Sequence, residues 1–326
     1  MFDKNDHILI TGGTGFFGKA LLRHFQTYTQ FVPQITILSR NPQKFIDRYP
    51  SLAKKADWIR GDILELQNLP RNIEFSHILH AATDSTLGTS MNSIERYDQI
   101  VNGTRNILEY ATWTGVKRFL LTSSGGVYGS QPDHIKLLPE EYFGIPDPLI
   151  SDHAYSMAKR CAEHLCALYK DEHGLNTVIA RCFAFAGPDL PWDAHFAIGN
   201  FVRDAINSPT IKVTGDGTAI RSYMDQRDLA NWLITMLCMG HSGEAYNVGS
   251  DFGLTIAKLA ETVRDLIAPD KEIIISETPM PSGNFRNRYV PSIAKAYSQH
   301  GLITNFTLEE TIMNMATSKI AQGEHH

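Results

Sequence analysis

Short apolar runs and longer amphipathic stretches alternate along the first half of the chain. Ile8-Leu9-Ile10 reads as a buried strand, and Lys19-Ala20-Leu21-Leu22-Arg23-His24-Phe25 then carries apolar residues at helical spacing. Residues 34–38 predict a second strand, 57–62 hold the end of a third, and 77–82 predict a fourth. A long helix follows over 93–114, with Ile100, Ile107, Leu108 and Ala111 on its apolar side. Residues 117–122 predict a fifth strand emerging at Ser123-Ser124, 152–172 a second long helix, and 177–180 a sixth strand. Continuous apolar strands separated by helices predict a parallel sheet covered on both faces.

After Gly187-Pro188 the rhythm loosens. A helix over 196–206, a strand over 211–213, a helix over 229–239, a strand over 272–276 and a terminal helix over 308–320 follow with irregular links. The proline-rich stretch 132–148 reads as a loop near the site. With 43% hydrophobic and 20% charged residues in 326, the chain can fill a sizeable core and carries too little charge for disorder. The net charge of −5 gives no basic footprint for nucleic acid. No apolar run approaches the roughly 20 residues of a membrane span, and Met1-Phe2-Asp3-Lys4-Asn5-Asp6 does not open a signal peptide. Cys161, Cys166, Cys182 and Cys238 lack paired metal spacing and are too few for a disulfide framework. Free thiols in a reduced, cytoplasmic protein are the expectation, with no metal. Gly323-Glu324-His325-His326 reads as a tag remnant.

The chemistry begins between the first strand and helix, at Thr11-Gly12-Gly13-Thr14-Gly15-Phe16-Phe17-Gly18. Strand, glycine turn and helix are the context in which such a cluster binds a dinucleotide. Gly12 and Gly13 allow a tight turn, Gly15 lets backbone approach a pyrophosphate, and Gly18 lets the helix pack on the strand. The expected fold class is therefore α/β. A Rossmann-type doubly wound parallel sheet occupies residues 1–187. A smaller C-terminal lobe over 188–322 mainly binds substrate, and some of its segments return to the first core.

Beyond the second strand, an acidic side chain would pair with the ribose hydroxyls of NAD; here Ser39-Arg40 stands instead. A guanidinium matches a 2′-phosphate bidentately, so NADP(H) is favoured, with NAD(H) as the alternative. Asp62-Ile63 is placed to face the adenine ring, and Ala81, Ala82 and Thr83 leave room beside the cofactor. Tyr155-Ser156-Met157-Ala158-Lys159 sets a phenol and an ammonium four residues apart on one helix face. The cation favours the phenolate, so the tyrosine can exchange a proton nearer neutral pH. Ser124 stands at the end of the fifth strand, where α/β sheets present their ligands.

These residues resemble the extended short-chain dehydrogenases/reductases of the nucleotide-sugar epimerase/dehydratase family. The likeness continues through Gly61-Asp62, His80-Ala81-Ala82, Asn102-Gly103-Thr104 and Ser123-Ser124-Gly125-Gly126-Val127-Tyr128-Gly129. In the second half Gly215-Asp216-Gly217-Thr218-Ala219-Ile220-Arg221-Ser222-Tyr223, Asp228-Leu229-Ala230 and Tyr246-Asn247-Val248-Gly249 carry it. The resemblance implies catalysis by Ser124, Tyr155 and Lys159 and a nucleotide-sugar substrate whose diphosphate meets Arg221, with Arg288 as a second candidate. It also implies a homodimer formed through the two long helices, where Ile107, Leu165 and Leu168 serve that contact or only the internal core.

Three departures bear on the reaction. Family dehydratases carry Asp-Glu directly after the catalytic hydroxyl residue, and this chain has Gly125-Gly126. Ala184 and Ile100 stand where the family often has asparagine. The expected activity is NADPH-dependent reduction of a nucleotide-linked 4-keto-6-deoxyhexose. A 4-epimerase using bound NAD and a non-catalytic dinucleotide-binding protein are the alternatives.

Overall fold

The computed structural model describes residues 2–27, 32–83, 91–192, 196–276 and 287–321; the expected tag remnant at 323–326 lies outside the described residues. The first half runs β1 (His7–Thr11), α1 (Phe16–Thr27), β2 (Gln34–Ser39), α2 (Pro42–Arg48), α3 (Pro50–Ala53), β3 (Asp57–Arg60), β4 (His77–His80) and α4 (Ser93–Trp113). It continues through β5 (Arg118–Ser124), α5 (Ala154–His173) and β6 (Thr177–Cys182). Then follow β7 (Phe185–Ala186), α6 (Ala197–Asn207), β8 (Thr210–Val213), β9 (Ile220–Arg221), β10 (Met224–Asp225), α7 (Gln226–Met239) and β11 (Ala245–Val248). The chain closes with β12 (Leu254–Thr255), α8 (Ile256–Ile267), β13 (Glu272–Ile275), β14 (Arg288–Tyr289), α9 (Ala294–His300) and α10 (Leu308–Ala321).

Seven strands form the main sheet in the order β11-β6-β5-β4-β1-β2-β3, every neighbouring pair parallel. Alternate residues of each strand enter different cores, which explains why the strands read as unbroken apolar runs. Ile8, Ile10, Ile35, Ile37, Leu79 and Val178 pack with α1 and α7 on one face. Leu9, Leu38, Ile78, Phe119, Leu121 and Ile179 pack with α4 and α5 on the other. Each fully buried Ile, Leu or Phe contributes about 1.5–3 kcal/mol of apolar burial. A third apolar core joins α6, α8 and α10 with β8 and β13. In α4, Asn92 and Glu95 form a reciprocal capping box; α5 ends at Gly174 in the left-handed region.

The sequence-based elements match within a few residues; the helices α2, α3, α8 and α9 and the strands β7, β9, β10, β11, β12 and β14 come in addition. Residues 245–248 return to the main sheet as its seventh strand beside β6. Helix α7 starts at Gln226 rather than 229, because the Asp225 side chain caps it by accepting the Arg227 N–H at 2.7 Å. Ile107 and Leu165 belong to the internal core, whereas Leu168 is partly exposed. Among the described residues all four cysteines are free thiols, no cluster has metal-ligand geometry, and no helix is long and apolar enough to cross a membrane.

The β1–α1 turn is the tightest junction of the fold. A Cβ on Gly18 would lie 2.1 Å from the Gly13 carbonyl oxygen, and backbone cannot move aside as a flexible side chain can. Gly18→Ala is therefore expected to destabilise the protein by about 2–3 kcal/mol, measured as a lower denaturation midpoint. A midpoint equal to wild type would refute the close-packing role.

Candidate active site

The parallel sheet places the ends of β1, β2, β4, β5 and β6 at one edge, and a cleft of about 1290 Å³ opens there. It is lined by Gly12, Gly15, Phe16, Phe17, Ser39, Arg40, Asp62, Ile63, Ala81, Ala82, Thr83, Ser124, Tyr155, Lys159 and Arg221. Two of the residues singled out from sequence, Gly18 and Arg288, are not part of this lining. Gly18 lies behind it in the helix packing already described. Arg288 pairs in register with Ile220, and it is the next residue, Tyr289, that reaches the cleft.

The glycine turn leaves bare backbone at the cleft wall. Gly12 has φ +74°, and a Cβ there would meet the Ala81 carbonyl oxygen at 2.4 Å. Gly15 is exposed, and its Cβ position meets only the Gly12 carbonyl oxygen at 3.4 Å, so the open side of the turn faces the cleft. A buried polar chain fixes the turn from behind. His80 is hydrogen-bonded through Nδ1 to Thr11 Oγ1 at 2.7 Å and through Nε2 to Thr104 Oγ1 at 3.2 Å. The Ala82 N–H donates to Thr11 Oγ1 at 3.2 Å. Burial, followed by the nearby Lys159 charge, pushes the His80 pKa down to about 3, so the ring stays neutral. Gly103 in α4 has the same logic: a Cβ there would meet the Ile63 side chain at 2.4 Å.

At the other end of the cleft Lys159 is 3% exposed. Its ammonium donates to Thr83 Oγ1 at 2.9 Å and to the Thr122 carbonyl at 2.8 Å. An ammonium has three N–H donors, so these two bonds leave one for the cleft. Burial lowers its pKa to about 8. The ammonium lies 6.0 Å from the centroid of the half-buried Tyr155 ring. Ser124 Oγ accepts the Gly126 N–H at 3.0 Å and so begins the short turn of residues 125–128. One helical turn beyond Lys159, Glu163 accepts the Ser123 hydroxyl at 2.6 Å and pairs with Arg181 at 2.8 Å. Arg181 donates to the Tyr128 hydroxyl at 2.9 Å, and that hydroxyl donates to Asn247 Oδ1 at 2.8 Å. This clasp ties β5, α5, β6 and β11 together beneath the site.

The glycines at 125 and 126 have a structural counterpart. A Cβ on Gly125 would lie 2.7 Å from both the Phe183 ring and the Tyr289 hydroxyl. Those rings face one another at 4.5 Å with an interplanar angle of 30°, and the loop residues Ile135, Leu138 and Tyr142 pack in the same cluster. An aromatic wall thus fills the space that a side chain at 125 would need.

Several lining residues were not singled out from sequence. Lys19, Lys44 and Arg48 join Arg40 at the Ser39 end of the cleft. Lys44 and Arg48, spaced i,i+4 on α2, were a readable cationic stripe. Gln99, Phe183 and Tyr289 carry no comparable local signal. A dinucleotide fits this donor set: bare backbone at a helix start for phosphates, cations at one end, and a buried lysine with a spare N–H at the other.

The sequence profile of the NAD dependent epimerase/dehydratase family matches residues 8–249. UDP-glucuronic acid decarboxylase 6 of Arabidopsis thaliana is 31% identical over 290 residues, covering 85% of this chain and 79% of that protein. UDP-glucose 4-epimerase of Thermotoga maritima, solved with UDP-glucose, has TM-score 0.82 at 21% identity, covering 98% of this chain and 100% of that one. dTDP-glucose 4,6-dehydratase of Bacillus anthracis, solved with NAD, has TM-score 0.78 at 22% identity, covering 98% and 97%. At such identities the two structures share the fold. From the profile match over most of its length and the decarboxylase relatives, the chain belongs to the NAD dependent epimerase/dehydratase family.

Proposed function

We propose that this protein is a nucleotide-sugar oxidoreductase that uses NADPH to reduce the keto group of a nucleotide-linked 4-keto-6-deoxyhexose. The observation that carries the reading is the convergence of Ser124, Tyr155 and Lys159 with Arg40 on one cleft whose wall has glycine at 125 and 126. When bound, the nicotinamide supplies the hydride. The Tyr155 phenol gives its proton to the carbonyl oxygen as that oxygen gains charge. Lys159 stabilises the resulting phenolate and holds the nicotinamide ribose with its remaining N–H. The Ser124 hydroxyl donates to the same oxygen and polarises the carbonyl. Arg221 meets the substrate diphosphate; Arg288 lies outside the cleft lining and is the lesser candidate. Residues 1–187 carry the dinucleotide site in this reading, and 188–322 mainly bind the sugar nucleotide.

A second reading has the same trio oxidise the sugar transiently with retained NAD, as an epimerase or a decarboxylase does. The decarboxylase names of the relatives favour it. Net NADPH oxidation with keto-sugar nucleotides supports the first; product formation without net cofactor turnover supports the second.

Arg40→Asp should weaken NADPH binding by about 2–3 kcal/mol and leave NADH little changed, through loss of a charge-assisted contact and added repulsion. Equal shifts for both cofactors in a titration would remove the case for NADP. Tyr155→Phe should lower kcat roughly 10²–10⁴-fold with cofactor affinity retained. Wild-type turnover should also fall as pH rises through about 8, where Lys159 loses its charge. Near-normal turnover in the Phe variant would sink the trio. Finally, α4 and α5 present outer faces, Leu168 among them, suited to a homodimer of a cytoplasmic enzyme. Light scattering should give about twice the chain mass of 36.5 kDa; a monomer at micromolar concentration would exclude the dimer.

A further inference from the structure

A buried ammonium needs either a counter-charge or acceptors, and the groups facing Lys159 supply mainly the second. His80, from β4, is neutral. Burial pushes the thiols of Cys166 on α5 and Cys182 on β6 up, so both stay protonated. Glu163, one turn further along α5, adds a favourable field, but its oxygens are committed to Arg181 and the Ser123 hydroxyl. Tyr155, one turn earlier, presents its ring, with the centroid 6.0 Å from the ammonium. Among the described residues the ammonium donates to two acceptors, the Thr122 carbonyl at 2.8 Å and Thr83 Oγ1 at 2.9 Å. The carbonyl belongs to the backbone of β5 and would be there with any side chain at 122. The Thr83 hydroxyl depends on which residue the sequence places there. Thr83 is half-buried and lines the cleft, and its N–H donates to the Ala81 carbonyl at 3.0 Å, so the turn after β4 fixes where the hydroxyl stands. An ammonium has donors only, so the hydroxyl accepts from it and turns its own hydrogen elsewhere.

We propose that Thr83 is a positioning residue of this site, acting through Lys159: its hydroxyl keeps the ammonium charged and held between β4 and α5, beside Tyr155. The inference rests on the reading that Ser124, Tyr155 and Lys159 form the catalytic trio. A hydrogen bond to the charged form favours that form, so removing the acceptor makes the lysine lose its proton at lower pH. The phenolate left after proton transfer then faces a neutral amine over more of the working pH range. A threonine that only packed against the lysine would leave its titration unchanged.

The test is Thr83→Val, which keeps the shape and removes the hydroxyl, with Thr83→Ala as a smaller second version and Thr83→Ser as the rescue. The first readout needs no ligand: the Lys159 side chain is titrated by NMR in protein carrying 13C-labelled lysine, its signal assigned as the one missing from Lys159→Arg. The midpoint should fall by about one pH unit in the Val and Ala variants, the size of one hydrogen bond to a charged group, and return to the wild-type value in the Ser variant. The second readout is the pH profile of kcat with NADPH and a keto-sugar nucleotide. Its alkaline limb should move down with the midpoint in Thr83→Val, while KM stays within about twofold of wild type. A Lys159 midpoint unchanged in both Val and Ala overturns the proposal, even if those variants melt at lower temperature. An equal fall in Val, Ala and Ser overturns it too, because the hydroxyl is then not the cause. If the midpoint moves as expected and the alkaline limb does not, Thr83 holds the ammonium as proposed and it is the catalytic trio that fails.

Discussion

A cation buried at the junction of two strand ends and a helix sets the terms for this site. An ammonium removed from water is unfavourable unless acceptors surround it, and Lys159 receives two: Thr83 Oγ1 after β4 and the Thr122 carbonyl in β5. Those bonds hold α5 at a fixed height over the sheet, and with it Tyr155, one turn earlier. The neighbouring groups are arranged to tolerate the charge. His80 stays neutral beside it. The Glu163–Arg181 pair neutralises itself one turn away while gripping Ser123, next to Ser124. Removal of the lysine would leave the Thr122 carbonyl and Thr83 Oγ1 without the ammonium that joins them.

How much of this was legible in the sequence depends on how local the physical demand is. The glycine turn was readable because Gly12 and Gly18 each satisfy a steric demand imposed by residues a few positions away or by the adjoining strand. Strands β1, β2, β4, β5 and β6 were readable because burial on both faces writes a largely apolar run, whereas the edge strand β3 showed only Trp58-Ile59 between charged residues. The four residues of β11 were not, since a short strand gains its place only by pairing with β6, whose position the local pattern does not encode. Arg40 stood out against the acidic residue it replaces; Lys44 and Arg48 needed only the helical i,i+4 rule. The aromatic wall lay out of reach, because Phe183 and Tyr289 meet through tertiary folding alone.

The wall also bears on which reaction the site can perform. Dehydration requires, besides the hydride-linked phenol, a second acid/base pair to take a proton from carbon and give one to the leaving hydroxyl. Positions 125 and 126 offer only backbone, and a side chain at 125 would meet Phe183 and Tyr289 at 2.7 Å. Regaining that pair would therefore require rebuilding the wall as well as replacing two glycines. In the proposed reading the phenol, ammonium and hydroxyl that remain handle one proton for each hydride. That balance suits a single carbonyl reduction, and equally a transient oxidation that is later reversed. The two differ in whether the cofactor leaves, and here the cationic end of the cleft matters. Arg40, Lys44 and Arg48 are exposed, so in the proposed reading they would attract a phosphate through a screened, solvent-accessible interaction that weakens with ionic strength. An attraction of that kind would allow a 2′-phosphorylated cofactor to exchange after each turnover, as the proposed reductase reading requires.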